Sequence, residues 1–167
     1  MPEKSSQRVA LVTGASLGIG AATAREFARQ GYAVAVHFNA SGSRAGEVVA
    51  AIEADGGTAA SFQADLAEAR QCPRLVRRVL ERFGRLDVLV NNAGSLIGRR
   101  SLAEMDEEFW NRVIGLNLAS VLWVTQAAAA HMRERGSGAI VNLGSVAGHN
   151  GGGPGAILYA TAALAVA

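Results

Sequence analysis

The segment Val9-Ala10-Leu11-Val12-Thr13-Gly14-Ala15-Ser16-Leu17-Gly18-Ile19-Gly20 decides the fold. Four apolar residues in a row read as a short strand covered on both faces. The turn that follows carries glycines spaced G-x3-G-x-G, and Ile19 to Gln30 then continues as a helix. Ala24, Phe27 and Ala28 share one face of that helix, and Gly31 sits where a helix stops. Each glycine of the turn has a physical use. Gly14 permits a tight turn, Gly18 lets the backbone approach a pyrophosphate, and Gly20 lets the helix pack closely on the strand. The unpaired N–H groups at the helix start offer a partial positive charge to an anion. The spacing departs from the commoner G-x-G-x-x-G, and a glycine trio can also be a packing turn between strand and helix. Its setting between a strand and a helix favours phosphate binding.

Outward from this turn, short apolar runs alternate with longer amphipathic ones. Ala33-Val34-Ala35-Val36, Val88-Leu89-Val90 and Ile140-Val141-Asn142-Leu143 read as further strands covered on both faces, and Thr58-Ala59-Ala60-Ser61-Phe62 as a weaker one. Ala45, Val48, Val49 and Ile52 follow helical spacing up to Asp55-Gly56-Gly57. Leu75, Val76, Val79, Leu80 and Phe83 form a second stripe closed by Gly84, and a long helix is expected from about Asp106 to Arg135. Strands alternating with helices imply right-handed crossovers and a parallel sheet. No repeat and no linker divides the chain, so residues 1–167 read as one α/β domain, a doubly wound parallel sheet of Rossmann-like type.

Composition narrows the function. Half of the 167 residues are hydrophobic, enough to bury a core, and this excludes a disordered chain. Sixteen basic against fourteen acidic residues leave a formal charge of +2, too balanced to announce a nucleic-acid partner. Arg74, Arg77, Arg78 and Arg82 lie on one helix face without interleaved aromatics, as a solvated surface does. The single Cys72 forms no internal disulfide, and His37, His131 and His149 have no metal-ligand spacing, so no metal site is expected. The apolar stretch Val113–Met132 is broken by Asn117, Ser120, Thr125, Gln126 and His131, which reads as a buried helix rather than a membrane span. Residues 1–8 form a polar lead-in without the apolar core of a secretory signal, and a cytoplasmic location is the expectation.

Thr13-Gly14-x3-Gly18-Ile19-Gly20, Asp65-Leu66, Asn91-Asn92-Ala93-Gly94, Asn117, Ser145 and Tyr159 stand in an order along the chain that resembles the short-chain dehydrogenases/reductases. The resemblance implies an enzyme that moves a hydride between a nicotinamide dinucleotide and a small carbonyl or alcohol, assembled as a homo-oligomer, dimer or tetramer. It implies cofactor contacts at Gly14, Ser16, Leu17, Gly18 and Ile19, at Asp65 and Leu66, and at Asn92, Ala93 and Gly94. Asn91 to Gly94 also suits any turn at a strand end. The strand from Ala33 continues into His37-Phe38-Asn39-Ala40-Ser41-Gly42-Ser43-Arg44, with no acid before Glu47. A carboxylate here would bind the ribose 2′-OH of NAD, and its absence leaves room for a 2′-phosphate. Asn39, Ser41 and Arg44 are therefore expected at the cofactor, and NADP(H) is favoured over NAD(H). Ser43 equally suits a helix N-cap, and Arg44 a solvated charge.

Hydride transfer to a carbonyl leaves an oxyanion that needs a proton donor and a hydrogen-bond partner. The resemblance gives these roles to Tyr159 and Ser145, and gives Asn117 a helix kink and an ordered water. Taken alone, Ser145 is a turn residue and Asn117 a polar interruption of an apolar helix. His149, in the glycine-rich run before Tyr159, is a candidate pocket residue on position alone. Phe109, Trp110 and Trp123 read as core or subunit interface. One departure stands out. The family pattern is Tyr-x3-Lys, and here the fourth residue after Tyr159 is Ala163, with no lysine after Lys4. A single lysine between Ala162 and Ala163 would restore the pattern. In the family this lysine binds the nicotinamide ribose and acidifies the tyrosine; a tyrosine without such help titrates near ~10 and is a poor base for alcohol oxidation. The resemblance also implies two further strands and a substrate lid beyond Ala167. A catalytically inactive or truncated nucleotide-binding relative is thus the alternative to an active oxidoreductase.

Overall fold

The computed structural model describes residues 7–166; the first six residues of the polar lead-in and Ala167 lie outside it. Five parallel strands, β1 (Val9–Val12), β2 (Ala33–Phe38), β3 (Thr58–Gln63), β4 (Val88–Asn91) and β5 (Ala139–Asn142), form one sheet in the order β3-β2-β1-β4-β5. The chain winds outward from β1 to β3, then crosses back and restarts at β4 on the other side of β1. The reversal falls between β1 and β4, where Val12 pairs with Val36 on one side and Val90 on the other. In open α/β sheets the crevice at that reversal is where ligands bind.

Strand alternation sorts the core into two layers. Val9, Leu11, Ala35 and Leu89 face α3 (Gln71–Phe83) and α5 (Ser120–Arg135) through Leu75, Val79, Val124 and Ala128. Ala10, Val12, Val34, Val36 and Val90 face α1 (Gly18–Arg29) and α2 (Gly42–Ala54) through Ala24, Ala45, Val48 and Ile52. Both faces are covered over β1, β2 and β4, which is why their sequences are continuously apolar. Asp87 fastens the amino ends of β1 and β4. Its carboxylate accepts from the Val9 N–H at 2.8 Å and from Arg85 at 2.6 and 2.8 Å. Burial pushes this carboxyl up, but the Arg85 and Val9 hydrogen bonds and the nearby Arg135 more than offset it, holding it below the ordinary range. Cys72 is free and buried, and burial pushes its thiol up to about 11.

Two expectations are corrected, the cover of β5 and the N-cap of α2, and two helical regions gain detail. β5 is not covered on both faces: all four of its residues are exposed, with Ile140 and Val141 at 37% and 47%. Apolar composition marks a strand as coverable without supplying the cover. The long helix is not uninterrupted, because α4 (Glu107–Ile114) passes into a π-helical turn, Gly115–Ala119, before α5. The glycine-rich run opens as a short helix, α6 (Ala147–Asn150), ahead of α7 (Ile157–Ala165). The N-cap of α2 is Ser41 rather than Ser43, whose hydroxyl lies 3.5 Å from Glu47 inside the first turn.

Glu107–Arg135 is long and apolar enough to cross a membrane by length and composition. Val113, Asn117, Val124, Ala128 and Met132 nonetheless bury one line of it in the domain. Phe109 is buried and Trp123 packs on the core, whereas Trp110 is half exposed. On α3, Arg77 pairs with Glu81, and Arg78 donates to the Gln63 carbonyl, consistent with a solvated face.

Candidate active site and cofactor cleft

The turn after β1 is held from several directions. Gly14 has φ +64° and Gly18 φ +57°, a region that excludes most side chains. A Cβ on Gly20 would stand 2.4 Å from the Gly14 carbonyl oxygen and 2.5 Å from Asn92 Nδ2, so the close approach of α1 to the turn requires glycine there. Thr13 Oγ1 accepts from the Asn92 and Ala93 N–H groups, each at 3.0 Å, and donates to the Val90 carbonyl. Asn92 Nδ2 donates back to the Thr13 and Gly14 carbonyls at 2.8 and 3.1 Å. The carboxyl ends of β1 and β4 are thereby stitched together. No side chain caps α1 and no acid stands in its first turn, so its N-terminal N–H groups remain free for an anion.

A cleft of about 450 Å³ opens over this turn. Eleven of the thirteen expected cofactor residues line it: Gly14, Ser16, Leu17, Gly18 and Ile19 from the turn, Asn39 and Ser41 from the end of β2, Leu66, and Asn92, Ala93 and Gly94 from the end of β4. No acidic side chain is among the lining residues. Its wall combines apolar side chains, Leu17, Ile19 and Leu66, with the glycine turn and the polar Ser16, Asn39, Ser41 and Asn92, a donor set that fits a dinucleotide. Two expected residues stand apart. Arg44 is exposed on the first turn of α2, outside the lining. Asp65 borders a neighbouring hollow with Glu68, Glu107 and Arg112, and its Oδ1 accepts from the Ala67 N–H at 3.0 Å. Asp65 is thus next to Leu66 of the main cleft without being among its lining residues.

A smaller hollow of about 160 Å³ adjoins the first and shares Ile19, Asn92, Ala93 and Gly94 with it. Ser145, just beyond β5, Tyr159 on α7 and Asn117 on the π-helical turn all line this hollow. The three expected catalytic residues are thus brought to one place by elements far apart in the chain. Ser145 Oγ accepts from the Ala147 N–H at 3.2 Å, and Tyr159 is half buried against Phe109 and Leu158. Asn117 is 7% exposed and fully engaged: Nδ2 donates to the Ser95 and Val113 carbonyls and Oδ1 accepts from the Ser95 N–H, all at 2.9 Å. A polar side chain in an apolar helix is satisfied there by the loop after β4, and the π-helical turn sets the angle at which it reaches that loop. Ala163, one helical turn after Tyr159, lines the same hollow and brings no charge to it. His149 is exposed and is not among the residues lining this hollow.

Sequence reasoning missed two residues here. Thr13 is read only as part of the glycine motif, yet it organises the stitch just described. His37 is weighed only as a metal ligand, yet it is 2% exposed at the back of the cleft, whose lining it joins. Its Nδ1 accepts from the Gly14 N–H at 3.0 Å, and its Nε2 lies 3.0 Å from the Ala64 carbonyl oxygen. Burial pushes its pKa down to about 4 against the opposing pull of the Ala64 carbonyl and Asp65.

A five-stranded parallel sheet with this crossing order and a glycine turn opening α1 define a Rossmann-like α/β fold, with Ser145 and Tyr159 brought to one hollow beside that turn. The family model described as short chain dehydrogenase matches residues 8–167, and the chain belongs to that family. It is 46% identical to an uncharacterized oxidoreductase of Methylorubrum extorquens, over 86% of this chain and 56% of the relative. It is 45% identical to a 3-oxoacyl-acyl-carrier-protein reductase of Synechocystis, over 95% of this chain and 64% of the relative. Among solved structures, an NADH-dependent reductase responsible for alginate metabolism superposes with a TM-score of 0.88 at 38% identity, covering 95% of this chain and 66% of that one. The chain therefore spans somewhat over half of the length of these relatives.

Proposed function

We propose that this chain carries the cofactor cleft and reaction site of an NADP(H)-dependent oxidoreductase interconverting a carbonyl and a secondary alcohol. One observation carries the reading: Ile19, Asn92, Ala93 and Gly94 line both hollows, so the glycine turn and the pair Ser145 and Tyr159 stand on either side of one shared wall. Gly14 and Gly18 would hold the pyrophosphate of a dinucleotide, and Ser145 and Tyr159 would stand at its reactive end. When bound, the nicotinamide supplies or accepts the hydride. Tyr159 gives the carbonyl oxygen its proton, as a protonated phenol can without further activation. Ser145 orients that oxygen; the Ala147 N–H occupies a lone pair of Oγ and leaves the hydroxyl proton uncommitted by that bond. Asn117 acts through the loop after β4, fixing Ser95 and with it the wall shared by both hollows.

Preference for the phosphorylated cofactor is supported by the acid-free end of β2 and by Asn39 and Ser41 in the cleft wall. Arg44 lies on the turn that follows, where a long side chain can swing toward a 2′-phosphate. The solved NADH-dependent relative argues the other way, and direct titration decides. The substrate is a small carbonyl or alcohol, and the relative from Synechocystis makes a 3-oxoacyl thioester the first to assay. We further propose a soluble cytoplasmic homo-oligomer, dimer or tetramer, assembled through the outer face of α4 and α5, where Trp110 and Leu122 are half exposed.

Fluorescence titration with NADPH and NADH, followed by turnover of a carbonyl panel, tests the proposal. Tighter binding of NADPH with turnover upholds it; tighter NADH binding overturns the cofactor preference. A second reading rests on Ala163, which leaves the hollow without the family cation. It makes the chain a nucleotide-binding relative without catalysis, and binding without turnover of any carbonyl selects it.

A further inference from the structure

His37 lies near the carboxyl end of β2, on the strand face shared with Ala33 and Ala35. Its ring bridges two segments. One is the glycine turn, through the Gly14 N–H; the other is the segment after β3, through the carbonyl of Ala64, which directly precedes Asp65 and Leu66. The Thr13 carbonyl, at the other end of that same peptide, accepts from Asn92 Nδ2, so the peptide entering the first glycine is gripped at both ends. One protonation state serves both bonds. Nδ1 must be bare to accept from an N–H, and Nε2 must carry the proton to donate to a carbonyl. The other tautomer, or the imidazolium, sets donor against donor at Gly14.

We propose that His37 is a positioning residue for the dinucleotide: its neutral Nε2–H tautomer fixes the glycine turn against the Leu66 wall, so that the cleft is shaped before the cofactor arrives. The inference rests on the cofactor reading above. Asp65 is the charged group nearest in the chain to the Ala64 contact, and burial of the ring keeps it uncharged at neutral pH. A turn held in its binding conformation binds at its full affinity, whereas one that wanders binds only in proportion to its competent fraction.

Three substitutions separate bonding from packing. Asn at position 37 can still accept from Gly14, Gln can still donate to Ala64, and Phe can do neither. NADPH dissociation constants, measured by fluorescence on folded protein verified by circular dichroism, are expected to rise about tenfold for His37→Phe. They are expected to rise about fivefold for His37→Gln and to stay within about threefold of the wild type for His37→Asn. Nitrogen NMR of the wild-type ring is expected to show a bare Nδ1 and a protonated Nε2, with slow exchange of the Gly14 amide. An unchanged constant in His37→Phe, equal losses in all three variants, or the opposite tautomer overturns the role of His37 and leaves the cofactor reading standing. Failure of the wild-type chain to bind either dinucleotide overturns both.

Discussion

The two flanks of the crevice differ in how firmly they are built. On the β1–β2 side every strand residue but Phe38 is buried, and the turn is held by Thr13, His37 and Asn92 through bonds of 2.8–3.2 Å. On the β5–α7 side the strand is exposed, and Ser145 and Tyr159 are only half buried. Between α6 and α7, Gly151, Gly152, Gly153 and Gly155 all take positive φ. That loop is fastened from outside by Arg99 donating to the Gly152 and Pro154 carbonyls and by the Arg100 N–H donating to the Gly155 carbonyl, and from within by the Gly152 N–H donating to Asn150 Oδ1 and the Ala156 N–H to the Gly153 carbonyl. The cleft's turn thus gets its shape from buried strands and from the side chains of Thr13, His37 and Asn92 that clasp its backbone. The reaction side gets its shape from distant elements meeting at an open edge. A rigid cradle beside a looser chemical wall suits a site whose cofactor end is constant and whose substrate end varies.

The largest expected effect falls on the loose side. Tyr159→Phe should cut carbonyl turnover by about a hundredfold or more while the NADPH dissociation constant stays within about twofold, measured by steady-state kinetics and fluorescence titration. Comparable loss of binding would mean that the two sides are not separable. Ala163→Lys, which sets an ammonium one helical turn from Tyr159, should raise turnover by about tenfold or more; no gain would deny that the missing cation limits catalysis.

The tight side is broken by pH. The folded His37 titrates near 4, below the 6.5 of an unperturbed histidine, so the unfolded chain takes up the proton first. Its contribution to stability is complete above pH 6.5 and is lost as the pH falls toward 4, by of order 3 kcal/mol. Urea unfolding across that range should show the slope, and His37→Asn should flatten it. Gly20→Ala, which forces a methyl group onto the Gly14 carbonyl and Asn92, should cost about 1–3 kcal/mol and lower the melting temperature. Arg99→Ala should cost less than about 1 kcal/mol, because its bonds are exposed, yet should speed proteolysis of the loop at 151–155. An unchanged cleavage rate would mean that the loop holds itself.

Much of the tight side is legible in the residues themselves. Strand, glycine turn and helix follow from local rules, since each glycine meets a steric demand set within a few residues. The strand runs lie within a residue or two of their observed bounds, because burial on both faces leaves no polar alternation to misread. His37 was legible in principle. Alternation puts it on the face of Ala33 and Ala35, and a buried histidine must find partners. Which partners, however, depends on Gly14 and Ala64, respectively 23 and 27 residues away. Asn117 shows the opposite limit. Its polarity flags it, but periodicity sees one continuous helix, and only its bonds to Ser95 and the π-helical turn explain what it does.

The order of residues by itself determined the parallel α/β architecture, the phosphate-type turn and the absence of a lysine four residues beyond Tyr159. Those features depend on backbone geometry and covalent identity over short spans. Tertiary structure alone decided that Asp65 turns to its own backbone, that Arg44 and His149 stand outside the hollows, and that β5 is exposed. It also decided that one histidine clamps two segments at the back of the cleft. Each of these is set by which distant groups compete for the same space or the same hydrogen bond, and that competition exists only once the sheet has brought them together.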